Sequence, residues 1–120
     1  MKIGLVACGA RKLSHPAPAR ELYAGMLFRL ASAYAERACD EWYILSGKHG
    51  LVLPDEVLAP YDSAFPRMPA KWRWAWAVGV LDTLDRLGLN EDGTRWLILA
   101  GERFRQFLVP GLRGMVEVPL

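Results

Sequence analysis

The residues best suited to chemistry stand in short polar runs that each follow an apolar one. The first run holds Cys8, Arg11 and Lys12, then Ser14, His15 and Arg20, behind KIGLVA. The second is SGKHG, residues 46–50, directly after WYIL. The third opens with Gly101, Glu102 and Arg103, after WLILA. If the apolar runs are strands of one sheet, the polar runs lie at its C-terminal edge, where open α/β sheets hold their ligands. Lys12 and Lys48 would be fixed cations there. A lysine binds phosphate as a point charge, or acts as a nucleophile when burial lowers its pKa. His49 titrates near neutrality, and beside the Glu102 carboxylate it could move a proton. Cys8 and Ser46 are candidate nucleophiles. The catalytic candidates are therefore Lys12, His49 and Glu102. The substrate-binding candidates are Cys8, Arg11, Ser46, Gly47, Lys48 and Tyr61. Gly47 and Gly50 permit positive φ or close backbone approach to a bound group. Pro54 and Pro60 make the segment reaching Tyr61 and Asp62 stiff and non-helical. The plainer reading of residues 45–62 is a surface loop with an exposed histidine, in which Tyr61 and Asp62 anchor the loop by hydrogen bonds.

Several named sites are excluded by spacing. The run after the first strand lacks the glycines of a P-loop or a dinucleotide fingerprint. Cys8, His15, Cys39 and His49 have no recognisable metal-ligand spacing, so no metal or other cofactor is expected. Two cysteines make no disulfide framework, and Cys39 reads as a small apolar residue at a helix end. Met1 and Lys2 lead straight into a strand-like run with no signal peptide, which points to a reduced, cytoplasmic protein. No apolar run approaches the roughly 18 residues of a membrane span. A net charge of +2 is too small to argue for nucleic acid on its own.

The elements that must position these residues follow from periodicity. With 120 residues, 52% hydrophobic and 23% charged, the chain is expected to be one soluble domain, residues 1–120. Residues 2–8 read as a buried strand and residues 9–20 as a loop. Residues 21–39 read as a helix, with Leu22, Met26, Leu30 and Ala33 in one stripe flanked by Tyr23, Leu27 and Tyr34. Gly25 inside that helix costs about 1 kcal/mol against Ala. Either the helix tolerates it, or a ligand or another backbone approaches there. Residues 41–45 are a second strand. Pro66 and Pro69 bracket a new start, and residues 70–87 form a helix stopped by Gly88. At about 100° per residue, Trp72 and Trp76 share one face of that helix while Trp74 points away. Two are expected in the core, with the third at an edge or in a homodimer contact; a base-stacking platform is the sharper alternative. Residues 94–100 and 115–120 complete the strands, with a short helix from Gly101 to Pro110 between them. This order argues for a three-layer α/β sandwich around a mainly parallel sheet of about four strands.

The stretch LSGKHGL at residues 45–51, with Pro54, Asp55, Pro60 and Tyr61, resembles the YaaA peroxide-stress protein family. Leu22-Tyr23-Ala24-Gly25 and residues 99–104, LAGERF, are similar to further elements of that family. The chain is still more similar to small bacterial and phage domains with Cys-x-x-x-Lys, Leu-Tyr and Leu-Ser-x-Lys-His-Gly-Leu elements. The resemblance implies a single YaaA-like α/β domain. It also implies a link to DNA binding and protection from oxidative damage. The helix-hairpin-helix-like part tied to DNA binding in YaaA proteins has no clear counterpart here. Cys8 and Lys12 are also similar to the Cys-x-x-x-Lys of archaeosine synthase cores, which implies a nucleobase-like ligand. The small domains of this kind often continue past the final Pro-Leu, so an edge element supplied beyond Leu120 or by a partner is a further expectation.

Three functions follow. The first is an enzyme acting on a nucleobase, nucleotide or nucleic acid, with its polar site at the strand ends. The second is a non-catalytic DNA-binding, oxidative-stress protein; for it Arg67, Lys71 and Arg73, beside the tryptophan-rich helix, are the one close basic cluster. The third is a protein-interaction module that uses the tryptophans. The first is favoured, because basic residues gather after strand ends and not along one helix.

Overall fold

The computed structural model describes residues 1–62 and 67–119. Its centre is β1 (Lys2–Ala7), an apolar strand with parallel neighbours on both sides. On one side is β3 (Glu41–Ser46), with Leu5 opposite Tyr43. On the other is β6 (Arg95–Leu99), with Leu5 opposite Ile98. A strand enclosed on both edges and both faces must be apolar throughout, and Ile3, Leu5 and Val6 have no exposed surface. The outer strands are β4 (Gly50–Val52), antiparallel to β3, and β7 (Met115–Glu117), parallel to β6. The sheet therefore has five strands, in the order β4-β3-β1-β6-β7, where about four were expected. The extra strand comes from residues 46–52. Gly47, Lys48 and His49 form a three-residue turn, and Gly50 closes it at φ 74°. Glycine takes that left-handed conformation without strain, which lets the chain fold back as a hairpin. Two further short strands, β2 (Ala17–Pro18) and β5 (Val57–Leu58), pair antiparallel and tie the two long connections together.

The helix expected over residues 21–39 is two. A single turn, α1 (Ala19–Leu22), is followed by extended backbone at Tyr23 and then by α2 (Met26–Ala38), with Gly25 at its N-cap. Gly25 thus stands outside the helix, where glycine carries little of the helix-interior penalty. The break also turns the expected stripe outward. Phe28 and Ala35 are the buried residues of α2, whereas Met26, Leu27 and Leu30 are 78%, 73% and 65% exposed. Gly4 explains the close seat of α2: a Cβ there would stand 3.1 Å from Ala35 Cβ and 3.2 Å from Cys39 Sγ.

On the opposite face lie α3 (Ala70–Arg86) and α4 (Glu102–Leu108). Ala77, Val80, Leu84 and Leu108 pack there with Ile3, Leu5, Trp96 and Ile98. Phe28 and Ala35 pack with Val6, Ile44 and Leu97 on the α2 face. The sheet is therefore mixed, mainly parallel, with helices on both faces. The tryptophans depart from expectation. Trp72 and Trp74 are 58% and 57% exposed, and only Trp76 of the three packs against the core. Buried Arg73 takes the inward place; its guanidinium donates to Met68 O and to Gln106 Oε1. Pro66 and Leu120 fall outside the described residues. Among the described residues no helix is long and apolar enough to cross a membrane.

The connection into β7 depends on a left-handed glycine. Gly114 has φ 85°, and a Cβ there would lie 2.1 Å from Thr94 O. Gly114→Ala is expected to lower unfolding free energy by at least about 1–3 kcal/mol. Gly93→Ala, where a Cβ meets nothing within 4 Å, is expected to be near neutral. Urea midpoints of both variants check this pair, and equal midpoints would refute the argument.

Candidate functional site

The site is built from the end of β3 outward. Ser46, its last residue, is fully buried, and both its polar ends are engaged. Its hydroxyl lies 2.5 Å from Tyr61 Oη and accepts the His49 N–H at 3.1 Å. The latter bond caps the hairpin turn. Its carbonyl accepts the Trp76 indole N–H at 2.8 Å. Tyr61 Oη continues the chain to Tyr23 Oη at 2.6 Å. Three separate segments, the β3 end, the residues around Tyr61 and the α1–α2 break, are thus joined through hydroxyls.

Around this network stand the basic side chains. Lys12 Nζ is 4.4 Å from the Tyr61 ring centroid and 5.9 Å from that of Tyr23. Lys48 Nζ is 5.4 Å from the same Tyr61 ring. The exposed His49 imidazole meets that ring edge-on, with centroids 4.9 Å apart. Lys12 Nζ donates to Ala10 O at 3.0 Å, and among the described residues neither lysine is in an ion pair. The loop carrying Lys12 is not free backbone. Lys12 bridges Tyr23 in antiparallel pairing, Leu13 N–H donates to Leu22 O at 2.8 Å, and Ala24 N–H donates to Arg11 O at 2.9 Å. Beside it opens a depression of about 280 Å³ lined by Ala10, Lys12, Leu13, Pro60, Tyr61 and Asp62.

The structure brings Cys8, Lys12, Ser46, Gly47, Lys48, His49 and Tyr61 into one neighbourhood. Cys8 is buried there against the Gly47 backbone and the Tyr61 hydroxyl. Burial pushes its thiol up, opposed by the Gly47 hydrogen bond and by the Lys12 charge. At neutral pH it is a thiol, the less nucleophilic form. Tyr61 is held well above the usual phenol range, first by burial. Tyr23 is raised by burial as well. Two candidates lie apart. Arg11 is exposed, and its carbonyl serves the Ala24 bond. Glu102, at the start of α4, lines a separate crevice between the ends of β1 and β6. Two members escape a sequence reading. Tyr23 lies in what looks like unbroken helix, although its place before Ala24-Gly25 marks the break. Trp76 looks like ordinary core. Among the described residues no three His, Cys, Asp or Glu side chains gather to hold a metal ion.

By fold this is a mixed α/β protein, with a cationic, hydroxyl-linked cluster at the ends of β1 and β3. The chain belongs to DUF6884, a family of unknown function, whose profile matches residues 3–120. It is also similar to a Bacillus subtilis (strain 168) protein titled "Uncharacterized protein YfjM", with 31% identity over 71 residues. That match takes in 53% of this chain and 47% of the relative, so the chain spans about half the length of that relative. No solved structure matches the chain.

The buried phenols and thiol give a signed pH dependence. Cys8, Tyr23, Tyr43 and Tyr61 all hold their protons more tightly in the fold than their ordinary values of 9.0 and 10.0. Tyr43 is pushed up to about 12 by burial and by its hydrogen bond to Glu41. Above those ordinary values the unfolded chain releases protons first, so stability falls as pH rises. Urea unfolding at pH 8 and pH 11 is expected to show a clear loss at pH 11, smaller in Tyr61→Phe. Equal loss in both proteins would remove Tyr61 from the account.

Proposed function

We propose that this chain is a nucleotide-directed enzyme whose polar site lies at the C-terminal ends of β1 and β3. The observation that supports it is the placement of Lys12 and Lys48 over one Tyr61 ring with no acidic partner among the described residues. Neither cation is neutralised by an ion pair among the described residues, which leaves both charges available to an anionic ligand group. The adjoining depression of about 280 Å³ adds the Asp62 carboxylate and the Lys12 side chain, acceptor and donor for a polar ligand. In this reading Lys12 and Lys48 hold a phosphate, His49 exchanges a proton at the exposed rim, and the buried Ser46–Tyr61–Tyr23 chain fixes their positions. Cys8 packs behind the site and is not its nucleophile.

The duplex-binding reading of YaaA type loses one of its three basic residues, since Arg73 points inward to Met68 and Gln106. The exposed Trp72 and Trp74 favour one addition to the proposal: a homodimer contact through α3. It is checked by the mass of wild type and of a Trp72→Ala, Trp74→Ala protein across a concentration range.

The ligand reading is tested by thermal shift with nucleosides, nucleotides and oligonucleotides, followed by turnover assays on any hit. A bound ligand raises the melting temperature by mass action. Nucleoside monophosphates are expected to stabilise wild type. Lys12→Ala and Lys48→Ala are each expected to weaken them about tenfold or more, because a hydrogen bond to a charged group contributes roughly 1.5–3 kcal/mol. His49→Ala is expected to spare binding and to lower turnover. Binding confined to oligonucleotides, fading with salt and indifferent to Lys12, would replace the enzyme with a non-catalytic nucleic-acid binder.

A further inference from the structure

A second concavity lies where the connections of the sheet diverge. From β1 the chain runs to α2 on one face and then to β3; from β6 it runs to α4 on the other face and then to β7. Adjacent parallel strands whose connections leave in opposite directions open a crevice at their C-terminal ends, the usual ligand position in such sheets. Here that crevice has a volume of about 350 Å³ and lies between Ala7 and Gly9 of the β1 end and Leu99 to Gly101 of the β6 end. Its size falls within the range of about 300–1,000 Å³ usual for small-molecule sites.

We propose that this crevice is the ring subsite of the nucleotide site, holding a flat, uncharged heteroaromatic ring of nucleobase size. The identity of the ring rests on the nucleotide reading above; the crevice itself does not. Three observations carry the inference. The first is an aromatic wall. Phe28 and Phe104 both line the crevice, and each has a second ring packed against it: Phe28 has Tyr23 at 5.4 Å, Phe104 has Trp76 at 5.5 Å between ring centroids. Fixed rings favour a flat aromatic guest. The second is a rim with both signs. Glu102 and Arg103 offer an acceptor and a donor side by side, and among the described residues neither is in an ion pair. A nucleobase edge presents donors and acceptors together, whereas a hydrocarbon would use neither. The third is Gly101. Its φ of −71° is ordinary for any residue, and a Cβ there would meet nothing within 4 Å. A larger side chain at this lining position therefore needs no strained backbone and displaces no neighbouring atom within that distance, which makes Gly101 a place from which the crevice can be filled.

The two concavities are reached by consecutive residues of one loop. Gly9 lines the crevice, and the next residue, Ala10, lines the depression that holds Lys12. A nucleotide seated across this loop places its ring toward Glu102 and its phosphate toward Lys12. This gives Glu102 a binding role and detaches it from proton transfer with His49.

The test is calorimetric binding of nucleosides and their 5′-monophosphates to wild type, Gly101→Leu, Glu102→Ala and Lys12→Ala. Nucleosides are expected to bind wild type, to lose about tenfold or more in Gly101→Leu, and to change less than about twofold in Lys12→Ala. Glu102→Ala, an exposed position whose loss leaves the fold intact, is expected to weaken nucleosides by about fivefold. Circular dichroism confirms that Gly101→Leu is folded; if it is not, Glu102→Ala carries the decision. Nucleoside binding lost in these variants, with no gain from the phosphate, would uphold the crevice and remove the phosphate role of Lys12. Monophosphate binding that depends on Lys12 but is indifferent to Gly101→Leu and Glu102→Ala would overturn the crevice and leave the phosphate site standing.

Discussion

The structure depends on how Ser46 is held. It is a polar residue with no exposed surface at the last position of β3, and such a residue is stable only when its polar groups are bonded. Its hydroxyl reaches Tyr61, among the residues packed against the α2 face. Its carbonyl takes the indole of Trp76, among those on the α3 face. One residue thereby fastens both helical layers to the sheet at the edge where the basic residues gather. The same hydroxyl caps the Gly47–His49 turn, so the direction of the hairpin and the position of Tyr61 are set by one oxygen. An alanine there would take from the Tyr61 hydroxyl one of its two hydroxyl partners and from the His49 amide its capping acceptor, loosening the turn and the network together.

The phenols work as structural donors and acceptors and not as acids. Burial raises Tyr61 and Tyr23 together, and the oxygens joining them stay protonated across the physiological range. An ionised phenol at that position would pair with Lys12 and quench one of the two cations. Keeping it neutral leaves the Tyr61 ring with two ammonium groups near it, at 4.4 and 5.4 Å from its centroid, an attraction of about 0.5–1 kcal/mol each at exposed sites.

How much could be read beforehand depended on range. The apolar runs of β1, β3 and β6 follow from composition, because a doubly enclosed strand admits little else. The grouping of Cys8, Lys12, Ser46, Lys48 and His49 follows from parallel order, since parallel strands bring their ends to one edge. What was hidden needed contacts between distant residues. The outward turn of Met26 and Leu30 follows from the break at Tyr23–Gly25, which the bond from Ala24 to Arg11 helps to hold. The strand β4 needed the left-handed Gly50, which in sequence is one more glycine of a loop. Arg73, a surface residue by type, is buried because Gln106 and the Met68 carbonyl satisfy it. Sequence alone groups Glu102 with His49, because both follow strands; the strand order sets Glu102 instead beside the β1–β6 crevice.

The pairing of residues 11–13 with residues 22–24 has a kinetic consequence. The Lys12 backbone is a rung of a small ladder, bonded on both flanks. A ligand of the proposed site would meet a backbone already in place and would not wait for a loop to order itself. The entropy of fixing that segment was spent when the chain folded, not on each encounter. Capture at Lys12 would therefore run as one diffusive step, its rate set by charge and ionic strength, with no slow closing phase behind it.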